Sequence, residues 1–133
     1  MKKKKILIVD DERDMLTVLE KWLIVKGFDV VSAVNGTDAI QLAHSHKPDL
    51  IVLDICLPDI DGGEVAKMIK ESPETENIPI IFLTALLSKD EEKKNSQVTG
   101  GNVMLAKPYS INEILTVIKT HTEKKVLSRN MSN

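Results

Sequence analysis

Short unbroken apolar runs alternate along this chain with longer stretches in which apolar residues recur every three or four positions. The runs "ILIV" (6–9), "FDVVSAV" (28–34), "LIVLD" (50–54), "IPIIFLT" (78–84) and "VMLAK" (103–107) have strand length and are rich in Ile, Val and Leu. Near-continuous apolar character predicts strands buried on both faces, as in a parallel sheet. Between them, Arg13 to Lys26 sets Leu16, Leu19, Trp22 and Leu23 on one face before Gly27, which predicts a helix with Trp22 in the core. Thr37 to Ser45 carries Ala39, Ile40, Leu42 and Ala43, and Gly63 to Glu71 carries Val65, Met68 and Ile69. Ser88 with Glu91, and Ser110 with Glu113, have capping-box spacing, so helices are expected to start near both. The last presents Ile111, Ile114, Leu115 and Ile118 on one face, whereas "SKDEEKKNSQV" (88–98) has little to bury and is expected to be the least firmly held element.

Five strand-then-helix alternations predict one α/β domain, a doubly wound parallel sheet with helices on both faces, because right-handed crossovers leave few other topologies. The 133 residues, 42% hydrophobic and 29% charged, suit a single core. A net charge of −2 and a pI near 5.9 provide no basic field for direct nucleic-acid binding. The run "KKKK" (2–5) reads as a solvated flank, and the apolar runs are too short for an export signal or a membrane span. A cytoplasmic protein without a membrane partner is expected. Cys56 is the single cysteine, which excludes an intramolecular disulfide framework and a cysteine zinc cluster. No glycine-rich nucleotide-binding pattern follows the first strand.

The strand ends carry the candidate chemistry. The first ends on Asp10 and Asp11, the third on Asp54, the fourth on Thr84 and the fifth on Lys107. In open α/β sheets ligands bind beyond the carboxyl ends of the strands, so these five residues are expected to share one edge. Three carboxylates gathered there repel one another unless a cation keeps them ionised. An all-oxygen ligand set suits Mg²⁺, and a lysine and a threonine hydroxyl opposite the acids suit phosphoryl oxygens. Each residue alone is an ordinary cap or turn residue; their joint placement points to phosphoryl transfer.

The stretches "ILIVDDE", "PDLIVLDICLPDIDG", "IPIIFLTA" and "AKPYS" resemble the receiver domain of two-component response regulators, over residues 4–121, leaving 122–133 as a polar tail or linker. The resemblance implies sheet order 2-1-3-4-5 and a phosphorylation-dependent switch rather than a turnover enzyme. Asp54 would accept the phosphoryl group from the phosphohistidine of a sensor kinase or phosphotransfer protein, and the domain would catalyse its own phosphorylation and dephosphorylation. Asp11 would bind Mg²⁺ directly and Asp10 mainly through water, with Asp54 and the backbone carbonyl of Cys56 as further ligands. Thr84 and Lys107 would hold the phosphoryl group, the Lys107–Pro108 bond would be cis, and a downstream output protein or domain would read the altered surface.

The sequence departs from the family pattern at Met104, where an aromatic toggle is usual, at Gly63, where a bulky apolar residue is common, and between Thr84 and Lys107, where one residue more than is typical predicts a longer "ALLSKD" loop (85–90). Methionine implies a softer distinction between the two states. A degenerate receiver acting as a phosphorylation-independent interaction module is the alternative, but it would normally lose an acid or the lysine, and all are present. An aspartyl phosphatase would need an Asp-x-Asp pair after the first strand, whereas Asp54 is followed by Ile55 and Cys56. Cys56 as a redox sensor is disfavoured, Tyr109 reads as packing, His44 and His46 read as favourable charge placement at a helix end rather than metal ligands, and His121 reads as a surface residue.

Overall fold

The computed structural model describes residues 3–84, 103–107 and 109–131. Its elements, in chain order, are β1 (Lys5–Val9), α1 (Arg13–Val25), β2 (Asp29–Ala33), α2 (Gly36–His46), β3 (Leu50–Asp54), α3 (Gly62–Glu71), β4 (Ile80–Thr84), β5 (Val103–Ala106) and α4 (Ile111–Met131). The strands form one parallel sheet in the order β2-β1-β3-β4-β5. The expected helix at 88–98, the "ALLSKD" loop and the Lys107–Pro108 bond fall outside the described residues.

Successive side chains of a strand point to opposite faces, and that alternation divides the core in two. Ile6, Ile8, Leu50, Val52, Ile81 and Leu83 pack with Leu16, Leu19 and Leu23 of α1 and with Ile114, Leu115 and Ile118 of α4. The intervening residues Leu7, Val9, Ile51, Leu53, Ile80 and Phe82 pack with Ala39 and Ala43 of α2 and with Val65, Ala66 and Ile69 of α3. Burying an aliphatic side chain of this size contributes about 1.5–3 kcal/mol, so two-sided burial makes the central strands the firmest part of the molecule.

Trp22 corrects the expectation that it is a core residue: it is 45% exposed. Leu16, Leu19 and Leu23 form the buried seam of α1, at most 5% exposed, and Trp22 lies a helical step to its solvent side. Met68 is likewise on the outer side of α3, at 43% exposure. The capping box at the start of α4 is present in full. The Ser110 N–H donates to the Glu113 carboxylate at 3.0 Å, and the Glu113 N–H donates to Ser110 Oγ at 3.0 Å. The expected polar tail from residue 122 onward is helical backbone as far as Met131.

Helix α2 ends on Lys47, which has φ 46° and ψ 63°, left-handed geometry that costs a β-carbon-bearing residue energy that glycine does not incur. Lys47 is exposed and its N–H donates to the Ala43 carbonyl. Lys47→Gly is expected to stabilise the fold by about 0.5–1 kcal/mol, the gain in backbone geometry outweighing the lost cation at the helix end. The measurement is urea unfolding, with a higher midpoint and an unchanged slope.

Candidate functional site

The chain runs from β1 to β2 on one side and returns to β3 on the other, so β1 and β3 lie side by side where the strand order reverses. Asp10 follows β1 and Asp54 ends β3, and the topology therefore sets two acids next to each other at the switch point. Both are buried, Asp10 completely and Asp54 at 4% exposure. One oxygen of each is held by backbone two residues on. The Glu12 N–H donates to Asp10 Oδ1 and the Cys56 N–H to Asp54 Oδ1, both at 3.0 Å.

The other two oxygens converge on one cation. Lys107 follows β5 and its Nζ donates to Asp54 Oδ2 at 2.9 Å and to Asp10 Oδ2 at 3.2 Å. Glu12 Oε1 lies 3.6 Å from the same nitrogen, but this carboxylate is 67% exposed and the pair is worth little. Burial pushes the Asp10 carboxyl up, against the Glu12 N–H and Lys107, which hold it down. Burial would lower the ammonium of Lys107; the Asp54 hydrogen bond and the Asp10 charge outweigh it and raise its pKa.

Asp11 completes the cluster from the exposed side: one carboxylate oxygen from each of Asp10, Asp11 and Asp54 lies within 4.8 Å of the other two. Three carboxylates against one lysine leave a net deficit of positive charge. The donors are all hard oxygens gathered in one place, the kind of set that holds Mg²⁺, which takes a few carboxylates and keeps several waters. The residues present therefore fit a divalent cation. Thr84 ends β4 and is 1% exposed; its carbonyl accepts the Lys107 N–H at 2.8 Å, which binds the fourth and fifth strand ends together. The five residues expected at one edge thus lie at the ends of four strands of the same sheet edge.

Two features went unmarked in the sequence. A β-carbon on Gly62 would collide with the Asp54 carbonyl oxygen and come within 2.6 Å of Ile55 Cα, so α3 can start beside Asp54 only with glycine there. Asp59 accepts hydrogen bonds from the N-terminus of α2, more than twenty residues earlier, and no local pattern announces such a pairing. Cys56 is exposed, and the Tyr109 ring is buried against the α1 and α4 side of the core.

Residues 6–119 match the family described as the response regulator receiver domain. This chain belongs to that family. The receiver is 42% identical over 118 residues to the alkaline phosphatase synthesis transcriptional regulatory protein PhoP of Bacillus subtilis, a match covering 87% of this chain and 47% of PhoP. It thus spans about half the length of that relative. It is 33% identical over 118 residues to the polar-differentiation response regulator DivK of Brucella anthropi, covering 89% of this chain and 95% of DivK. Among solved structures it resembles the receiver domain of the sensor histidine kinase PA1611 of Pseudomonas aeruginosa, at 30% identity and a TM-score of 0.78, covering 92% of this chain and 99% of that one. The PA1611 structure has a magnesium ion coordinated in its active-site cleft. Receivers are signalling domains rather than turnover enzymes. Among the described residues of this one, no helix is long and apolar enough to cross a membrane.

The hydrogen bonds from Thr37 and Gly36 hold the Asp59 carboxyl well below the usual carboxylate range. A carboxyl with a depressed folded-state pKa stabilises the fold above its unfolded pKa and loses that contribution as pH falls toward its folded value. The stability gap between the native chain and Asp59→Ala is expected to be fully open above about pH 5 and to narrow below about pH 4. Urea midpoints of the two chains across that range check it.

Proposed function

We propose that this receiver is a phosphorylation-dependent switch in which Asp54 takes a phosphoryl group from a phosphohistidine of a sensor kinase or phosphotransfer protein. The observation that carries the reading is the placement of Lys107 Nζ 2.9 Å from Asp54 and 3.2 Å from Asp10, with Asp11 in the same cluster. Transfer to a carboxylate is favoured where the backbone holds one oxygen and the other faces a cation that can stabilise the incoming phosphoryl charge. Asp54 has that arrangement, with Cys56 N–H on Oδ1 and Lys107 on Oδ2.

In the transfer, an Asp54 oxygen forms the bond to phosphorus as the phosphorus–nitrogen bond of the donor imidazole breaks. Lys107 turns from the carboxylate to an oxygen of the incoming group, and the Thr84 hydroxyl donates to another. Asp11, Asp10, Asp54 and the Cys56 carbonyl would hold Mg²⁺, whose contribution is positive charge against the developing phosphoryl charge. The new dianion offers acceptors that the carboxylate lacked, and the movement of Thr84 and Lys107 toward it reshapes the ends of β4 and β5. That changed surface is what an output protein or domain reads. Residues 4–121 form the switch, and the protein acts in the cytoplasm.

Met104, half-buried against the α2 and α3 side of the core and opposite Phe82 in the β4–β5 register, takes the place of the usual aromatic toggle. Its flexible side chain makes the coupling of phosphorylation to β5 shallower than an aromatic ring would. An inert interaction module is the less favoured reading, because the acids and the lysine are all present and Lys107 is hydrogen-bonded to both Asp10 and Asp54.

Acetyl phosphate with Mg²⁺ is expected to add one phosphoryl group per chain by intact mass, and Asp54→Asn to abolish the addition. Equal labelling of the variant, or failure of the native chain to take up either phosphate or beryllium trifluoride, would overturn the reading.

Asp11 is exposed, whereas both oxygens of buried Asp10 are already engaged by Glu12 N–H and Lys107. Asp11→Ala is therefore expected to weaken Mg²⁺ binding by about tenfold or more, and Asp10→Ala by less, since outer contacts matter but direct ligands matter more. Titration calorimetry measures both.

A further inference from the structure

Between β3 and α3 the chain must cross the sheet edge while keeping the Cys56 peptide against Asp54. Its inner anchors are backbone. The Ile55 N–H donates to the Leu83 carbonyl at 3.0 Å, and the Gly62 N–H closes back on the Ile55 carbonyl at 2.8 Å. Leu57 and Ile60 pack against the α2 and α3 side of the core and set how deeply the loop sits. Apolar contacts have no direction, so they do not set where along the edge it lies.

Asp59 supplies a directional anchor. Its Oδ1 accepts from Gly36 N–H at 2.7 Å, and its Oδ2 accepts from Thr37 N–H at 3.0 Å and from the Thr37 hydroxyl at 2.7 Å. These are the first backbone donors of α2, groups that have no partner within the helix, and the next, Asp38 N–H, is taken by Asn35 Oδ1 at 2.8 Å. The contact is built from both sides. A β-carbon at position 36 would lie 2.7 Å from Val65 Cγ2, 3.1 Å from Ile60 Cβ and 3.4 Å from Asp59 Oδ1, so glycine there gives the loop its close approach.

We infer that Asp59 is a positioning residue for the metal site: by gripping the N-terminus of α2 it fixes the loop that holds the Cys56 peptide beside Asp54. The inference rests on the function proposed above, in which that peptide's carbonyl is a ligand. Asp59 touches neither metal nor phosphoryl group; it acts through four residues of chain, Cys56 to Asp59. Loosening it leaves the three acids and Lys107 in place while the carbonyl loses its fixed position.

Magnesium titrations by calorimetry on the native chain, Asp59→Ala, Thr37→Val and the double variant test this, with circular dichroism confirming the fold of each. Asp59→Ala is expected to weaken Mg²⁺ binding by about tenfold, the range of supporting contacts at metal sites, and Thr37→Val by about threefold. The double variant is expected to be no worse than Asp59→Ala alone, because both break one link. Thr37→Val changes no charge, so a loss confined to Asp59→Ala would mean that the long-range field of the carboxylate is responsible, and would overturn the positioning role. Unchanged affinity in both folded variants, or additive losses, would do the same. Thr37→Val removes one hydroxyl and keeps the test open if Asp59→Ala does not fold. A native chain that binds no Mg²⁺ would overturn the proposed function and this inference together; native binding with unaltered variants overturns only the inference.

Discussion

Two buried carboxylates share a single ammonium group, and the site is arranged around that constraint. Asp10 and Asp54 are forced together by the strand reversal between β1 and β3, in a place that water barely reaches. Removing either charge from water costs several kcal/mol, which only close, well-directed partners offset. The chain meets this with one backbone N–H for each acid and with Lys107, delivered from the far edge strand β5. The pairing therefore ties the end of the fifth strand to the charges at the ends of the first and third.

Much of this was legible because strand ends are legible. Near-continuous Ile, Val and Leu runs mark two-sided strands, and the first polar residue after each run is at the rim whatever the details of packing. That reasoning needed no contact information to bring Asp10, Asp11, Asp54, Thr84 and Lys107 to one edge. The capping box of Ser110 and Glu113 was equally local, since both partners lie within one helical turn.

Trp22 shows where a periodic pattern misleads. Its spacing from Leu19 and its adjacency to Leu23 are compatible with the core face, but α1 has only one seam to bury, and three leucines already fill it. A large apolar side chain one step off the seam has nowhere to go but the surface. Asp59 shows the opposite limit. Its chemistry is that of an ordinary helix cap, yet the helix it caps begins at Gly36, and only the packed arrangement of α2 against the β3–α3 loop brings them together. Gly62 has the same limit, since what requires glycine there is the Asp54 backbone pressed against it.

The site also holds groups that weaken the fold. Burial raises the carboxyl of Asp10, and the Tyr109 hydroxyl is buried with no hydrogen-bond partner among the described residues, its pKa pushed up to about 12 by burial and then by the Asp10 charge. A buried polar group left unpaired costs about 1–3 kcal/mol. Asp11 adds a third negative charge to a cluster that Lys107 alone does not neutralise. A domain selected for stability alone would replace these groups with hydrocarbon. Their presence at the switch point, backed on both faces by a sheet whose central strands are fully buried, places the unfavourable electrostatics where the scaffold is firmest. A cation bound there removes part of that repulsion in the folded state only, so binding and stability are linked through the same three carboxylates.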